Sequence, residues 1–561
     1  MYHYNADDNI FVAEDSAANA GFAYKDVGNA EEHLYRLMRT VGDRSIFSLE
    51  LKRGAVDWPT YYHLTPQRAN IVRPFRDLIS SASVLELGAG CGAVTRYLGE
   101  QGGQVTALEG SQARARVIGV RCADLPNVRV YCDLIQNFAL EEKFDFVTLI
   151  GVLEYAQMYL QDADPIGALL RHARSFLKPD GILLLAIENQ LGLKYFSSAP
   201  EDHLGQAMYG INDIYGKDTP VTFGRHELLT HLHHAGFAST ALYLPFPDYK
   251  TPATVIYPQG YDLAHAPAEW NLGTLLAGAV SHELKNAARP TFSLEMAWPL
   301  VVRNGLAAEF ANSFLFACSQ TPDGVARLTA AHAHTLAVHY GCDRPYDLGK
   351  ETRFTVENGH VQTRTRKNSA APDAWENEVY EPGSSWFDAL LRIVNRPGWS
   401  TNELVAWAAP WKAALEQIAH HNPEFATEPA FAHFPLLLPG NYLDAAPNNW
   451  IIHPDGSAAF IDLEWEMPFA LPLEFILFRS LFLTLHRVTS CARPAQDVPL
   501  NLGQLTMMTL DHLNIRINAP DMDNFLFIFN GFQNITAGDP EGTFSRATQA
   551  LETASLPVRL I

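Results

Sequence analysis

The sequence predicts an α/β protein, in which a parallel sheet covered by helices on both faces precedes a smaller α+β domain. Three observations predict this arrangement. Short apolar segments alternate with helix-like segments between residues 83 and 187, a glycine-rich turn follows the first apolar segment, and the pattern changes past residue 325. Alternating strands and helices are typical of a parallel sheet, because each crossover helix returns the chain to the same end of the sheet.

The predicted strands of this sheet are short and apolar. They cover residues 84–87, 105–108, 128–132, 146–150 and 182–187, with helix-like segments such as 94–99, 111–124 and 165–177 between them. A further apolar segment, 313–318, is predicted to be the last strand of the sheet. Two later strands, 352–356 and 361–366, flank an Asn-Gly turn, which is a strong hairpin signal.

These elements divide the chain into four predicted segments. Residues 1–55 form an N-terminal extension, a poorly ordered tail that grades into a helix at 30–41. The sheet domain covers 56–322 and contains an insertion at about 250–305. A smaller domain covers 323–490, with helical segments from 385 to 419, and a helical tail covers 491–561.

Length and charge exclude several classes of protein. A chain of 561 residues is too long for one hydrophobic core. Its formal net charge is −21, whereas proteins that bind nucleic acid present a basic face. The same acidity disfavours docking on an anionic membrane surface. The apolar segment 467–485 contains charged residues and a proline, so it is predicted to be a buried helix rather than a membrane span.

The cysteines are scattered and include no CxxC pair, which predicts neither a zinc site nor a disulfide framework. The first residues are acidic and polar, unlike a secretory signal. We therefore expect a cytoplasmic protein, and the hypothesis extends to a peripheral place at an inner membrane. The six cysteines are Cys91, Cys122, Cys132, Cys318, Cys342 and Cys491.

The glycine-rich sequence V-L-E-L-G-A-G-C-G spans residues 84–92. Glycines after a strand let the backbone turn tightly and approach a ligand that a Cβ would repel. Glu109 ends the second strand, where nucleoside-binding folds place an acidic residue on the ribose hydroxyls. Asp133 ends the third strand, where a carboxylate can accept a hydrogen bond from an adenine amino group. Taken singly, Glu109 or Asp133 would also fit an alternative role, that of an ordinary carboxylate at a strand end that binds no ligand.

The order E-L-G-A-G-C-G differs from the G-x-G-x-x-G of dinucleotide-binding enzymes and resembles motif I of class I S-adenosylmethionine-dependent methyltransferases. The resemblance covers the order of elements from about 84 to 187 and implies a Rossmann-like methyltransferase sheet. It implies that Glu86 holds the methionine end of the cofactor, with a helix cap as the alternative role. The residues implied to bind S-adenosylmethionine are Glu86, Gly88, Ala89, Gly90, Gly92, Glu109, Gly110, Asp133, Leu134 and Gly151.

Polar side chains outside this motif predict where the acceptor binds. The segments 58–74, 186–196, 200–205 and 245–250 are rich in tyrosine, histidine and charged residues. They resemble segments of methyltransferases found with bacterial O-antigen and surface-polysaccharide enzymes, including bifunctional methyltransferase-kinases. By that resemblance Tyr61, His63, Arg68 and Glu188 line the acceptor pocket, with loop anchors and helix caps as the alternative. An arginine pair beside the methyl donor would suit an anionic acceptor such as a phosphate.

The second half of the chain contains a kinase-like series of residues. Asp444 and Asn449 have the catalytic-loop spacing D-x-x-x-x-N, and Asp462 follows an apolar strand. Kinases use such residues as catalytic base and Mg²⁺ ligands, and the series resembles aminoglycoside and choline kinases. Lys367 ends a hairpin strand, where kinases keep a lysine that binds the phosphates of ATP. No glycine-rich phosphate loop precedes Lys367. Three interpretations of this half of the chain therefore stay open: an active kinase, a degenerate kinase fold used for binding, and a coincidental resemblance.

Together these features predict an S-adenosylmethionine-dependent methyltransferase that modifies a bacterial surface glycan or its phosphorylated or lipid-linked precursor, as in lipopolysaccharide biosynthesis. A second, ATP- and Mg²⁺-dependent kinase activity is part of this hypothesis. The alternative is a methyltransferase for a small metabolite with a catalytically inert kinase-like half. A third hypothesis is a cofactor-binding scaffold that recruits glycosyltransferases of a polysaccharide pathway. The expected partners therefore include a glycan or small-molecule acceptor, and neither nucleic acid nor a transmembrane segment is expected.

Overall fold

The computed structural model describes residues 1–14, 29–284, 286–287, 289–341, 344–420, 428–539 and 545–559. They form two compact units. The first unit consists of Met1–Phe196, Pro200–Ala266 and Gly305–Glu378, and the second of Ser197–Ala199, Pro267–Asn304 and Val379–Ile561. This division differs from the predicted boundary at 322/323, because residues 323–378 belong to the first unit and most of the predicted insertion belongs to the second.

The first unit is organised around one sheet, which has 14 strands in the described part of the chain. Its strand order is β1-β2-β5-β4-β3-β6-β7-β10-β8-β9-β11-β12-β13-β14. The strands are β1 (Tyr2–Asn5), β2 (Ile10–Ala13), β3 (Ser83–Leu87), β4 (Gln104–Glu109), β5 (Val128–Cys132), β6 (Phe144–Ile150), β7 (Leu177–Glu188), β8 (Ser239–Phe246), β9 (Thr254–Ile256), β10 (Ser313–Ser319), β11 (Thr335–Tyr340), β12 (Lys350–Glu357), β13 (His360–Lys367) and β14 (Glu376–Glu378).

The centre of the sheet is parallel, as the alternation of strands and helices predicts. Val84 of β3 pairs with Val105 of β4 on one side and with Phe146 of β6 on the other, and both pairings are parallel. Val84, Leu85 and the other apolar residues of β3 are buried, because helices cover both faces of a parallel sheet. The α/β prediction is therefore confirmed for this unit.

The sheet extends well beyond the predicted strands. The segment predicted to be the last strand, β10, lies between β7 and β8 and is antiparallel to both. The predicted hairpin forms as β12 and β13, but it continues this sheet through β11 and β9. The prediction that the hairpin begins a second domain is therefore corrected, since the hairpin signal is local and does not determine which sheet the hairpin joins.

The N-terminal extension is ordered where the structure describes it. Strands β1 and β2 form an antiparallel hairpin, and β2 pairs in parallel with β5, with Phe11 opposite Tyr131. The expectation of a poorly ordered tail is therefore wrong for residues 1–14. The helix predicted at 30–41 is confirmed as Ala30–Thr40, which buries Leu34 and Met38.

Helices and short 3-10 turns surround the sheet. The helices of eight or more residues in the first unit are Ala30–Thr40, Ala93–Glu100, Gln112–Arg121, Pro165–Ser175 and Arg225–His234. The shorter helices are Leu49–Arg53, Trp58–Leu64, Arg76–Ile79, Ala156–Tyr159, Leu193–Phe196, Pro258–Tyr261, Ala307–Phe310 and Ala326–Ala331. The 3-10 turns are Pro66–Ile71, Arg73–Phe75, Leu153–Tyr155 and Tyr346–Leu348.

The second unit is mainly helical. Its longer helices are Leu272–Ala279, Leu294–Arg303, Trp386–Val394, Thr401–Ile418, Leu473–His486, Leu502–His512, Ala519–Ala537 and Arg546–Thr553. Its 3-10 turns are Val280–His282, Pro429–Phe431, Gly440–Asp444 and Pro447–Asn449. Its strands are β15 (Ser384–Ser385), β16 (Leu437–Leu438), β17 (Trp450–Ile452), β18 (Ala458–Phe460) and β19 (Leu471–Pro472).

One hydrophobic core joins the helices of the second unit. Leu390, Trp411 and Phe478 pack in this core together with Leu505 and Phe529. The residues predicted as a separate tail, 491–561, thus contribute to the same core as the helices that precede them. The apolar segment 467–485 forms the buried helix Leu473–His486, as predicted.

Two predictions about the chain as a whole can be compared with the described residues. Within them, no helix combines the length and the apolar character that crossing a membrane requires. Cys342 lies outside the described residues. The other five cysteines are buried, and none of them forms a disulfide within the described chain.

Candidate functional site

The predicted glycine-rich turn follows β3 and has a left-handed backbone. Gly88, Gly90 and Gly92 have φ angles of +74°, +58° and +77°, a conformation that costs residues with a Cβ free energy. A Cβ on Gly88 would lie 2.6 Å from Cγ2 of Val152. The turn can therefore pass this close to the residues after β6 only with glycine at position 88.

Glu109 connects the glycine turn to the end of β4. Its Oε2 accepts a hydrogen bond from the Gly90 amide and its Oε1 accepts one from the Ser111 amide, both at 2.8 Å. The carboxyl group is buried, and this burial raises its pKa although the nearby Arg114 guanidinium opposes the shift. Because each carboxylate oxygen can accept more than one hydrogen bond, Glu109 keeps capacity for the hydroxyls of a ribose.

Glu86 lies on β3, just before the glycine turn. Its Oε2 accepts a hydrogen bond of 2.6 Å from Oγ1 of Thr95. Burial raises the pKa of Glu86 to about 7, although the Thr95 hydrogen bond acts in the opposite direction. Gly92 is the N-cap of the following helix and makes no side-chain cap. Glu86 thus contacts the first turn of the following helix through the Thr95 side chain.

Asp133 follows β5 and is contacted by the N-terminal hairpin. Its Oδ1 accepts a hydrogen bond from the Leu134 amide at 2.8 Å. Its Oδ2 accepts one from the Tyr2 hydroxyl at 2.7 Å. The sequence prediction missed Tyr2, since nothing local to residues 1–5 indicates a contact with a strand end more than a hundred residues away.

The remaining predicted cofactor residues are neighbours of these groups. Ala89 lies within the glycine turn and is buried, and Gly110 lies between Glu109 and Ser111 in the loop after β4. Gly151 follows β6 with a φ angle of +69°. A Cβ on Gly151 would stand 2.7 Å from the hydroxyl oxygen of Tyr249. The end of β6 thus lies between the glycine turn and the segment that contains Tyr249.

Two of the predicted acceptor residues lie beside the glycine turn. His63 belongs to the helix Trp58–Leu64, is buried, and has its Cε1 3.9 Å from the place where a Cβ on Gly90 would stand. Arg68 is buried, donates a hydrogen bond of 2.9 Å from Nη1 to the Lys250 carbonyl, and stacks 4.2 Å from the ring centre of Tyr62. Tyr61, by contrast, donates to Oε1 of Gln67 at 3.4 Å and is partly exposed.

The fourth predicted acceptor residue, Glu188, belongs to a buried charge cluster at the ends of β6 and β7. Lys250 Nζ lies 2.8 Å from Glu188 Oε1, 2.9 Å from Asp248 Oδ1 and 3.2 Å from Asp202 Oδ1. Lys194 Nζ lies 3.0 Å from Asp202 Oδ2 and 3.1 Å from Asp248 Oδ2. We use the term charge cluster for Glu154, Glu188, Lys194, Asp202, His203, Asp248 and Lys250.

The pKa values within the charge cluster diverge. Burial and then the neighbouring Glu188 carboxylate raise the pKa of Glu154 to about 8. Burial alone would raise the pKa of Glu188, but Lys250 and His203 outweigh it and hold that pKa well below its usual range. Burial disfavours the charged imidazole of His203, yet the Glu188 carboxylate dominates and raises its pKa to about 9. Such divergent values are typical of functional sites.

Sequence reasoning found only part of this cluster. It named Glu188 and marked the segments 200–205 and 245–250, but it missed Glu154 and His203 as individual residues. The signals that could have found them are the glutamate shortly after an apolar strand in G-V-L-E-Y and the three consecutive titratable residues of P-E-D-H-L-G.

The kinase-like residues are divided between the two units. Asp444 ends a 3-10 turn of the second unit, and its Oδ1 accepts a hydrogen bond of 2.7 Å from Arg479 Nη1. Asn449 Nδ2 donates to the Asp444 carbonyl at 2.9 Å, and Asp462 follows β18 with a φ angle of +58°. Lys367 ends β13 in the first unit and is exposed. Its predicted place in the second domain is therefore corrected.

Comparison with known families identifies the first part of the chain. Residues 63–242 match a family model described as a methyltransferase domain. This part of the chain is a methyltransferase domain. The matched residues include the glycine turn, Glu109, Asp133, Glu188 and His203. The match supports the predicted methyltransferase sheet in this part of the chain.

Among curated proteins, the chain is similar to the ubiquinone biosynthesis O-methyltransferase of Histophilus somni (strain 2336). The two are 24% identical over 141 residues, which cover 24% of this chain and 56% of the relative. The chain thus spans about half the length of this relative. Because the match covers only 24% of this chain, the activity of the whole protein needs an argument from the site itself.

The chain is also similar to parts of solved structures. The N-terminal domain of EvdMO1 with SAH bound is 23% identical, with 31% of this chain and 73% of that chain covered and a TM-score of 0.23. The Burkholderia thailandensis 1,6-didemethyltoxoflavin-N1-methyltransferase is 22% identical, with 41% and 88% covered and a TM-score of 0.26. Neither likeness bears on the substrate of this chain.

Proposed function

We propose that this protein transfers the methyl group of S-adenosylmethionine to an acceptor that binds beside the charge cluster. The observation that carries the proposal is the pair of hydrogen bonds through which Glu109 connects the Gly90 and Ser111 amides. These bonds join the loops after β3 and β4 around one carboxylate. Such a pocket fits a nucleoside with free ribose hydroxyls.

The residues present fit each part of this donor. Glu109 would hold the ribose hydroxyls, Asp133 the adenine amino group and Glu86 the methionine amino group. Gly88 and Gly90 let the backbone approach the ligand without a Cβ in the way. When bound, S-adenosylmethionine supplies an electrophilic methyl group on a positively charged sulfur. The chain's own contribution is to orient the acceptor towards that methyl group, because proximity and orientation account for much of the catalysis in such displacements.

We infer that the acceptor lies between the glycine turn and the charge cluster, where His63, Arg68 and Glu188 were predicted to line its pocket. Arg68 is a buried cation beside the glycine turn, whereas Lys250 is already paired with three carboxylates. A buried arginine suits an acceptor that carries a phosphate or several hydroxyls. A surface glycan or its phosphorylated or lipid-linked precursor has this chemistry. Such a reaction would take place in the cytoplasm, with glycosyltransferases of the same pathway as partners.

The experiment that tests this proposal measures the formation of S-adenosylhomocysteine with a panel of acceptors. The panel contains a phosphorylated glycan, the same glycan without phosphate, and small hydroxylated metabolites. We expect turnover with the phosphorylated glycan and a higher KM when Arg68 is changed to Gln. Arg129→Gln, which removes an exposed arginine paired with Glu142, is the matched control. Turnover with the small metabolites alone would favour the small-metabolite alternative, and no turnover at all would favour a scaffold.

A second candidate function is phosphotransfer by the second unit. One observation favours it. Asn449 donates a hydrogen bond to the Asp444 carbonyl, and the β17–β18 hairpin and Asp462 follow along the chain. A kinase catalytic loop and its metal-binding aspartate have this order. The ion pair between Asp444 and Arg479 disfavours it, because it occupies the proposed base. Mg²⁺-dependent ATP binding by the full chain, lost in Asp462→Asn, would support this function. Its absence in the wild type would leave the unit as an inert scaffold.

A further inference from the structure

Three side chains of the charge cluster converge on one point. Glu154 lies in the 3-10 turn after β6, Glu188 is the last residue of β7, and His203 lies in the segment that follows. One oxygen of each carboxylate and one nitrogen of the imidazole lie within 4.8 Å of one another. This spacing is close to that of atoms that share a metal ion, whose bonds to nitrogen and oxygen are about 2.0–2.2 Å long.

The atoms that face this point lack hydrogen bonds. Glu154 Oε2, Glu188 Oε2 and His203 Nε2 are buried and make no hydrogen bond of regular geometry among the residues that the structure describes. His203 Nε2 and Glu188 Oε2 lie 3.4 Å apart, at ion-pair distance. Both glutamates are only 1% exposed. Buried polar atoms are nearly always satisfied in native proteins, and each exception calls for an explanation such as an ion. Three exceptions that face one another indicate a shared ligand.

The other atoms of the same groups are held in place. Glu188 Oε1 contacts Lys250 Nζ at 2.8 Å and accepts from the Tyr249 hydroxyl at 3.3 Å. His203 Nδ1 is hydrogen-bonded to the Tyr155 hydroxyl at 3.0 Å. Metal-binding histidines almost always have their second ring nitrogen engaged in this way, which fixes the orientation of the ring. The surroundings therefore direct the unsatisfied atoms at one position.

We propose that Glu154, Glu188 and His203 together bind one divalent transition-metal ion. One imidazole nitrogen and two carboxylate oxygens suit Zn²⁺ or Mn²⁺ better than Mg²⁺, which prefers oxygen ligands and retained water. Three protein ligands leave coordination positions open, as in catalytic rather than structural metal sites. The ion would thus be able to bind a further ligand.

The open position gives the metal ion a role in the proposed reaction, and this role rests on the proposed function. An acceptor that coordinates the ion through a hydroxyl or phosphate oxygen would be held beside the methyl donor. Coordination lowers the pKa of a bound hydroxyl, as it does for zinc-bound water, so its proton can pass to solvent water without a further base. The proposed acceptor class is therefore an oxygen nucleophile rather than an amine.

The test is the binding of Zn²⁺ and Mn²⁺ alone to the full-length protein after treatment with a chelator. Isothermal titration calorimetry should detect one ion per chain. Glu154→Gln and His203→Gln should each weaken the binding at least tenfold. Glu474→Gln is the matched control, since Glu474 also has a buried, unsatisfied oxygen but lies in the second unit; it should bind the ion as the wild type does. Thermal melting verifies that each variant is folded.

Two results would overturn the proposal. One is the absence of metal binding by the wild-type protein. The other is equal metal binding by the wild type, Glu154→Gln and His203→Gln. The wild-type titration decides the question even where a variant fails to fold. S-adenosylmethionine binding, measured on the same metal-free sample, keeps the two proposals apart. Donor binding without metal binding would refute the metal site alone, whereas metal binding without donor binding would refute the proposed function.

Discussion

The hydroxyl of Tyr2 donates a hydrogen bond of 2.7 Å to Oδ2 of Asp133. Tyr2 lies on β1, at the edge of the sheet, and Asp133 follows β5, which pairs with β2. The N-terminal hairpin therefore contacts the carboxylate that we propose for the adenine of the methyl donor. A segment that the sequence indicated to be a loose tail thus fixes a residue of the proposed cofactor site.

The first prediction concerns this contact. Tyr2→Phe removes the hydroxyl that donates to Asp133 Oδ2, whereas the Leu134 amide still donates to Oδ1. We expect the Kd for S-adenosylmethionine to rise about fivefold, which corresponds to the loss of about 1 kcal/mol from one hydrogen bond. Tyr4→Phe is the control, because Tyr4 donates to Asn9 on the exposed side of the same hairpin. Equal affinities for both variants and the wild type would exclude a role for Tyr2.

The second prediction concerns the pH dependence of donor binding. Burial raises the pKa of Glu86 to about 7, so the carboxylate that would attract the methionine amino group is mostly protonated below that pH. We expect S-adenosylmethionine to bind about tenfold more weakly at pH 6 than at pH 8. Calorimetry at both pH values measures this. Glu86→Gln is the control, because the pH dependence of binding that remains in this variant comes from ionisable groups other than Glu86, including those of the ligand. The same pH dependence in wild type and variant would contradict the role of Glu86.

The third prediction follows from the same pKa and concerns stability. Between the unfolded value of 4.5 and about 7, the folded protein holds a proton on Glu86 that the unfolded chain has released. Stability must therefore fall as the pH rises through this range, by about 3 kcal/mol in total. Urea unfolding at pH 5 and pH 8 should show that this loss is absent in Glu86→Gln. An equal loss in wild type and variant would mean that Glu86 does not retain the proton.

The fourth prediction concerns the charge cluster. Lys194 is fully buried and pairs with both Asp202 and Asp248. Lys194→Met leaves buried carboxylates with less compensating charge, which we expect to cost about 3 kcal/mol or more of the free energy of unfolding. Urea unfolding measures the loss. Lys143→Met removes an exposed lysine that donates to the Ser175 carbonyl and should change stability little. Similar stability of both variants would show that the cluster is solvated.

The central fold was predictable because its signals are local. Each strand from β3 to β6 is a short apolar segment, and β7 contains one at residues 182–187. Helices alternate with these segments, so the order along the chain is sufficient to predict a parallel sheet. The pairing of β2 with β5 joins residues far apart in sequence, such as Phe11 and Tyr131. No local pattern in residues 1–14 could predict that partner. The extension of the sheet through β11 and β12 was hidden for the same reason.

The candidate site was predictable only where a motif has a fixed spacing. Glu109 and Asp133 follow directly from the glycine turn, because the strands that carry them are adjacent in the chain. Glu154 and His203 meet only when β6 and β7 lie side by side and the segment after β7 folds back, and no spacing rule encodes this. Lys367 was assigned to the wrong unit, because its hairpin is a local feature that can join either sheet.

The proposal of methyl transfer depends on whether the pocket around Glu109 binds S-adenosylmethionine. Isothermal titration of the full-length protein with this donor tests it directly, with Glu109→Ala beside Glu142→Ala, an exposed control. We predict one binding site per chain for the wild type and the control, and loss of measurable binding for Glu109→Ala, because the variant removes the carboxylate that joins the two loops. Absence of binding by the wild type, or unchanged binding by Glu109→Ala, would contradict the proposal.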